Sequence, residues 1–534
     1  MNKGRQLAGV WSALALLGLA VGDAHGAVTL AGIFGENMVL QRGKPIPVWG
    51  WAAPDEAVTV TLGKQSAQTK ADAQGRWQVN LPAAEAGGPL TFIVAGQNTL
   101  TFTNVLVGDV WLCSGQSNME LKLGSCNAQE DVTNALFPAI RCCDIPNVPA
   151  VEPKTNVVGR WQVCTPGTAP QFTAAGFYFA RTVHQETGIP IGLLESDWGG
   201  TTIETWISPA GLAAVPELKP LQDRLDLALQ DYRKKLPGQI DALDAWVREA
   251  RAALAEGQAV APPTAWPEHP ISNPGRPTGQ HALYLGMIHP LIPYGIRGAL
   301  WYQGEANGGD DDIYFHKLSA LIGGWRQAWG EGDFPFYIVQ LPNFSQVSTN
   351  AAGGDGWARI RMAQLKALSI TNVGLAITID IGETGDIHPK DKADVGKRLA
   401  LWALAKVYGK ADVAFCGPLY REMKAADGKI RLIFDHAANG LMVGKKTGRA
   451  PVAEVKDGKL QRFAVAGDDK QWAWADAVID SVTVDGKQVD TVVVSSAAVP
   501  KPVAVRYAYS GNPEGCNLYN RDGLPAAPFR TDNW

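Results

Sequence analysis

Between residues 28 and 103 apolar and polar positions alternate in short runs. Asn37-Met38-Val39-Leu40-Gln41, Pro47-Val48-Trp49-Gly50-Trp51 and Val58-Thr59-Val60-Thr61-Leu62 are the clearest. A period of two puts successive side chains on opposite faces of a strand. Arg42-Gly43-Lys44-Pro45, Ala53-Pro54-Asp55 and Gln74-Gly75 separate the runs, which predicts a small antiparallel sandwich over residues 27–104.

The pattern changes over residues 105–425. Val105–Leu112, Ile189–Glu195, Gly298–Gln303, Phe336–Gln340 and Val373–Asp380 are mostly apolar runs, as strands buried on both faces require. Helical stretches lie between them, at Thr173–Thr187, Ile313–Ala328 and Lys392–Tyr408. Strand alternating with helix implies a parallel sheet covered on both sides, with ligands at the carboxyl ends of its strands. An insertion interrupts this region at about 215–278. Leu221, Leu225, Leu229 and Tyr232 share one helical face, and Ile240, Leu243, Val247, Ala250 and Leu254 another. Pro237-Gly238 lies between them, so a helical hairpin is expected, followed by a proline-rich loop from Pro262 to Pro277. Residues 426–534 return to β. Runs at Lys429–Asp435, Ala473–Val484, Thr491–Val494 and Pro502–Ala508 alternate with Asp-Gly turns at Asp427, Asp457 and Asp485.

Composition narrows the function. Hydrophobic residues make up 46% and charged residues 19%, enough to bury a large core. Lys and Arg number 48 against 52 Asp and Glu, which leaves no basic footprint for nucleic acid or an anionic membrane. Lys3 and Arg5 precede the uncharged run Leu7–Gly22, and Ala24-His25-Gly26 follows it. Residues 1–26 therefore predict a cleaved export signal, its apolar run short of the ~20 residues a spanning helix needs. The expected product is a periplasmic or secreted protein, free of the membrane after cleavage. Export permits disulfides. With seven cysteines (Cys113, Cys126, Cys142, Cys143, Cys164, Cys416 and Cys516) one or two bridges are expected, with at least one thiol unpaired within the chain.

The chain contains no H-E-x-x-H, no P-loop, no dinucleotide fingerprint and no G-x-S-x-G elbow. Four other blocks carry chemistry. Gly115-Gln116-Ser117-Asn118-Met119-Glu120 follows a buried strand directly, so Ser117 can expose its hydroxyl in a tight turn. Asp386-Ile387-His388-Pro389 supplies a base and a carboxylate, with Asp380 at the preceding strand end. Trp301-Tyr302-Gln303-Gly304-Glu305-Ala306-Asn307 offers amide donors, and Asp197-Trp198-Gly199-Gly200-Thr201 offers a backbone N–H that no Cβ obstructs.

Together these blocks resemble the sialate O-acetylesterase branch of the SGNH hydrolases, which is similar to bacterial acetylesterases acting on plant polysaccharides such as xyloglucan. Asn37–Arg42 and Gly523–Asp532 resemble that branch's flanking β regions, so the likeness spans most of the chain. It implies an α/β fold: a flavodoxin-like SGNH parallel sheet with helices on both faces, flanked by β-sandwich regions at both termini. It implies Ser117 as nucleophile and His388 as general base, then acid. The oxyanion would be held by the N–H groups of Ser117 and Gly200 (or Gly199) and the amides of Gln303 or Asn307. No metal or organic cofactor is implied. SGNH enzymes often place the carboxylate three residues before the histidine, which here is Gly385, so the third member is open between Asp386, Asp380 and Glu305 in that order.

The expected partner is an O-acetylated oligosaccharide or polysaccharide, with Trp198, Trp206 and Trp301 as stacking surfaces. Glu120, Asp197, Glu204, Glu305 and Asp310-Asp311-Asp312 make the blocks acidic, while Arg297, Arg359 and Arg361 are the nearby cations. A sialate carboxylate calls for an Arg or Lys clamp, so this balance favours a neutral, plant-derived sugar. The alternatives are a sialate O-acetylesterase and a carbohydrate-binding protein on an inactive esterase scaffold.

Overall fold

The computed structural model describes residues 27–271, 279–484 and 487–534; the leader expected at 1–26, the end of the expected proline-rich loop and the turn expected at Asp485-Gly486 lie outside them. Strand β1 (Thr99–Gly115) organises the rest. Its side chains alternate between exposed and half-buried up to Asn104, then are buried without a break from Val105. The first part pairs antiparallel with Gly87–Ala95, and the second lies parallel between two other strands. The change of pattern at residues 104–105 is therefore no linker. One strand enters the core there and becomes covered on both faces.

Ahead of it, Thr29–Leu30, Ile46–Trp51 and Arg76–Leu81 form a small antiparallel sheet. Ala57–Leu62, Gln65–Lys70 and Gly87–Ala95 extend the sheet of β1. Phe34 packs between them, touching Trp49 of the first and Phe92 of the second.

The central sheet adds β2 (Phe137–Asp144), β3 (Arg160–Cys164), β4 (Ile191–Asp197), β5 (Gly298–Tyr302), β6 (Phe336–Val339) and β7 (Val373–Ala376). Its order is β3-β2-β4-β1-β5-β6-β7, with every neighbour parallel except β3. Helices α1 (Ala174–Thr187), α2 (Lys219–Ala255), α3 (Ile313–Trp329), α4 (Gly356–Lys366) and α5 (Lys392–Lys406) follow in chain order. Side-chain parity assigns the faces. Trp111 of β1 meets Phe179 of α1 and Tyr337 of β6, and the Tyr337 hydroxyl donates to the Trp402 carbonyl of α5. On the other face Trp301 of β5 meets Trp206 and Trp325 of α3. This is an α/β molecule with one large mixed sheet and further β-sheets.

The insertion corrects the sequence expectation. Lys219–Ala255 is one continuous helix through Pro237, not a hairpin. Leu225 is its one buried residue, so a break at Pro237 would gain no packing against the core. The return path is extended chain: Gln239 donates to the Thr264 and Ala265 carbonyls, and Trp246 to Ala261. The cysteines also differ from expectation, since all seven are free thiols. Cys113 on β1 and Cys142 on β2 are separated by β4, about 9–10 Å at ordinary strand spacing and beyond disulfide reach. Burial pushes the Cys143, Cys164, Cys416 and Cys516 thiols up to about 12.

Residues 419–530 build three small sheets. The expected strand Ala473–Val484 splits into Trp472–Trp474 and Asp476–Val484. Buried Arg361 of α4 ties this region to the central one. It donates to the Leu341 and Pro342 carbonyls on one side and to Ser510 and Gly511 on the other, at 2.6–2.8 Å. Each bond to a charged donor is worth ~1.5–3 kcal/mol. Arg361→Leu should lower the thermal midpoint by roughly 5 °C or more. An unchanged midpoint in scanning calorimetry would show that this arginine does not join the two regions.

Candidate active site

Strand β1 ends at Gly115 with φ at +138°, and a Cβ there would sit 2.1 Å from the Tyr302 carbonyl oxygen. Only glycine allows this approach, which lets the Gln116 N–H donate to Tyr302 O at 3.0 Å. The chain then turns into a single helical turn, Ser117–Glu120, with Ser117 first. The loop between β7 and α5 brings His388 to it, and His388 Nε2 lies 2.8 Å from Ser117 Oγ. On the far side of the ring, Asp386 Oδ1 lies 3.4 Å from Nδ1 and accepts the His388 backbone N–H at 2.8 Å. Lys390 Nζ is 3.2 Å from the other Asp386 oxygen. The His388 N–H and Lys390 together hold the Asp386 carboxyl below its ordinary range. The His388 and Asp386 side chains are 34% and 39% exposed, so the site opens to solvent.

The glycine block packs against this turn. Gly199 N–H donates to Glu120 Oε2 at 2.7 Å, and a Cβ on Gly199 would lie 3.2 Å from Ser117 Cβ. The choice between the two glycines is thereby narrowed. Gly199 is engaged, while Gly200, exposed with φ at +74°, donates its N–H to no group among the described residues. A hydroxyl hydrogen-bonded to an imidazole, beside free backbone N–H groups, can attack an ester carbonyl and hold the resulting oxyanion.

Several expected site residues are employed elsewhere. Asp380, 2% exposed, pairs through both oxygens with Arg398 at 2.6 and 2.8 Å and accepts from Tyr519 at 3.1 Å. It anchors the fold and does not face His388. Glu305 is the partner of Asn118 Nδ2 at 2.5 Å, not of His388, and burial pushes its carboxyl up. The Gln303 amide nitrogen donates to Gln116, Thr201 O and Asn307, leaving nothing for an oxyanion. Asn307 Nδ2 is likewise spent on Glu204 and Asp310. Trp206 and Trp301 are fully buried and cannot stack on a sugar, whereas Trp198 is partly exposed. The acidic balance also dissolves. Glu204 and Asp310 both meet Lys317, Asp311 pairs with Arg359, and burial with neighbouring Glu195 pushes the Asp197 carboxyl far up.

The sequence reading took Glu120 only as local acidity, gave Asn118 no role and passed over Lys392. Lys392 had a signal, because a cation in the first turn of a helix opposes the helix dipole. Burial pushes it down to about 8.

The fold and its likeness to known proteins define a carbohydrate esterase, with Ser117 and His388 as its candidate reacting pair. A family model described as carbohydrate esterase, sialic acid-specific acetylesterase matches residues 279–405. The sialate O-acetylesterases of Mus musculus and Homo sapiens are each 29% identical, over 92% of both chains for the mouse and over 93% of this chain and 91% of the other for the human. The crystal structure of a carbohydrate acetylesterase from Xanthomonas citri is 35% identical, covers 95% of this chain and all of its own, and superposes with a TM-score of 0.77. The chain belongs to the sialate O-acetylesterase-like branch of the carbohydrate esterases.

Asp386→Asn and Asp380→Asn should separate cleanly. The first should lower kcat by roughly 10²–10⁴ with the thermal midpoint unchanged, through loss of imidazole orientation. The second leaves Arg398 uncompensated, which costs ~3–5 kcal/mol of stability. Turnover on an aryl acetate and calorimetry on both variants check this; a larger kcat loss in Asp380→Asn at unchanged stability would reverse the assignment.

Proposed function

We propose that this enzyme removes O-acetyl groups from carbohydrates through an acetyl-enzyme on Ser117. The observation that carries it is the 2.8 Å contact between Ser117 Oγ and His388 Nε2. His388 takes the hydroxyl proton as Ser117 attacks the acetyl carbonyl, and the N–H groups of Ser117 and Gly200 hold the oxyanion. His388 then protonates the departing sugar hydroxyl. Water, deprotonated by the same imidazole, releases acetate and regenerates Ser117. Asp386 holds the ring through Nδ1–H. The strands β4-β1-β5-β6-β7 run 2-1-3-4-5 in chain order once β2 and β3 are set aside, which supports the flavodoxin-like SGNH arrangement. The leader read in residues 1–26 supports export.

For the sugar, we infer a neutral, plant-derived oligosaccharide such as acetylated xyloglucan. The placement of the arginines, and not local acidity, supports this. Arg297 pairs with Asp109, at the opposite end of β1's parallel half from Ser117. Arg359 is held by Asp311 and the Gly354 carbonyl, and Arg361 is buried among four carbonyls. Arg297 and Arg361 are thus unable to clamp a carboxylate, and Arg359 already has one, that of Asp311. The name of the family model and those of the mouse and human relatives favour a second reading, a sialate O-acetylesterase.

Ser117→Ala should abolish acetate release while the protein stays folded; more than about a tenth of the parent turnover would remove Ser117 from the nucleophile role. Comparing kcat/KM on acetylated xyloglucan oligosaccharides with that on 9-O-acetyl sialic acid decides the sugar. The neutral substrate should win, and a tenfold preference for the sialate would overturn the inference.

A further inference from the structure

Two buried side chains hold the peptide carbonyls on either side of His388. Asn118, the residue after Ser117, donates from Nδ2 to Ile387 O at 3.0 Å. Lys392, at the start of α5, donates from Nζ to Pro389 O at 2.7 Å and to Asn118 Oδ1 at 2.8 Å. The remaining Asn118 contact is Nδ2 to Glu305 Oε1 at 2.5 Å. Both Asn118 and Lys392 have no solvent-exposed surface. The Lys392 ammonium also lies 5.3 Å from the centre of the Tyr302 ring. The amide is therefore oriented at both ends, its oxygen by a cation and its nitrogen by a carboxyl group.

The carboxylate beside His388 is a weaker guide. Its 3.4 Å separation from Nδ1 is longer than an ordinary N–H···O bond, it is 39% exposed, and it is shared with Lys390. A base must stand within about 2.6–3.2 Å of the hydroxyl it deprotonates, and a displacement of ~1 Å can cost ~10² in rate. The 2.8 Å contact to Ser117 thus needs a second source of precision.

We propose that Asn118 and Lys392, backed by Glu305, are positioning residues that lock the His388 loop onto the nucleophile turn and set the distance between base and nucleophile. Because Asn118 neighbours Ser117 and grips the carbonyl before His388, the two reacting side chains move as one unit. Lys392 fixes the carbonyl after His388 and orients Asn118. Glu305, buried beside the amide, keeps the Nδ2 side of Asn118 turned away from Lys392. This assignment rests on His388 serving as the base for Ser117.

The test compares Asn118→Ala, Lys392→Met and the milder Lys392→Gln with the parent, on p-nitrophenyl acetate and with the full chain. Active sites are titrated with a serine-directed phosphonate, so that misfolded molecules drop out of the rate. For the first two variants, kcat per titrated site should fall 10- to 100-fold with KM within about twofold. Lys392→Gln, which keeps one donor, should fall less than Lys392→Met and serves as the Lys392 variant if the others do not fold. The double variant of Asp386→Asn with Asn118→Ala (or with Lys392→Gln) should lose much less than the product of the single losses, because both act through the placement of one imidazole. Rates per titrated site within twofold of the parent, or strictly multiplicative losses in the double variant, would overturn the proposal. Failure of the underlying reading has a different signature, namely an active Ser117→Ala protein or a phosphonate adduct on another residue.

Discussion

A histidine that begins beside β7 must reach a serine at the end of β1, three strands away across the sheet. At ordinary strand spacing that is about 14 Å, and the loop from Ile377 to Asp391 has to span it over the ends of β6 and β5. The rest of the site depends on how this span is held. The Thr378 hydroxyl donates to the Gln340 carbonyl, Gly382 N–H to Asn343 Oδ1 at 2.8 Å, and Lys390 N–H to Glu383 Oε1 at 2.7 Å. Phe344 and Glu383 form a short parallel bridge. Asn118 and Lys392 close the far end. The loop is thus anchored first to the residues that follow β6 and then to the turn that follows β1, each side chain satisfying a backbone group that burial would otherwise leave costly.

The same economy of polar groups explains why so few residues remain for substrate. Gln303 and Asn307 look from their chemistry like donors for a developing charge, yet each amide is consumed in a network joining Gln116, Thr201, Glu204 and Asp310. That network fixes the end of β5 against the nucleophile turn. The oxyanion of the proposed reaction is then left to backbone N–H groups, which cost no side-chain entropy to hold in place. Glu120 takes part by binding Gly199, which fixes the peptide that precedes Gly200.

The fold was most legible where a run was buried on both faces, because such runs have no polar face to confuse the pattern, although the run from Val373 ends at Ala376 and not at Asp380. Gly298–Tyr302 and Phe336–Val339 fall where the pattern put them to within a residue. It failed at Pro237, where a breaker sits in an exposed helix and propensity outweighed it, and at residue 104, where one strand serves two neighbourhoods. In the site, Ser117, His388 and the glycine pair were legible because each needs a turn at a strand end. Of the misassigned residues, Gln303, Asn307 and Trp301 lie in one of the same blocks, and Asp380 and Trp206 stand five or six residues from another. What separates them from Ser117 and His388 is the direction of a side chain, set by strand parity at Trp301 and by the loops and turns at the other four.

The central claim is covalent chemistry at Ser117 promoted by His388. Rapid-quench mass spectrometry tests it directly: the full chain is mixed with p-nitrophenyl acetate, stopped in acid within the first turnover and digested. One added acetyl group should appear on the peptide carrying Ser117, forming as fast as the first turnover, and should be lost in His388→Ala. An unmodified Ser117 peptide during productive turnover, or acetyl on another residue that accumulates at the catalytic rate, would contradict it.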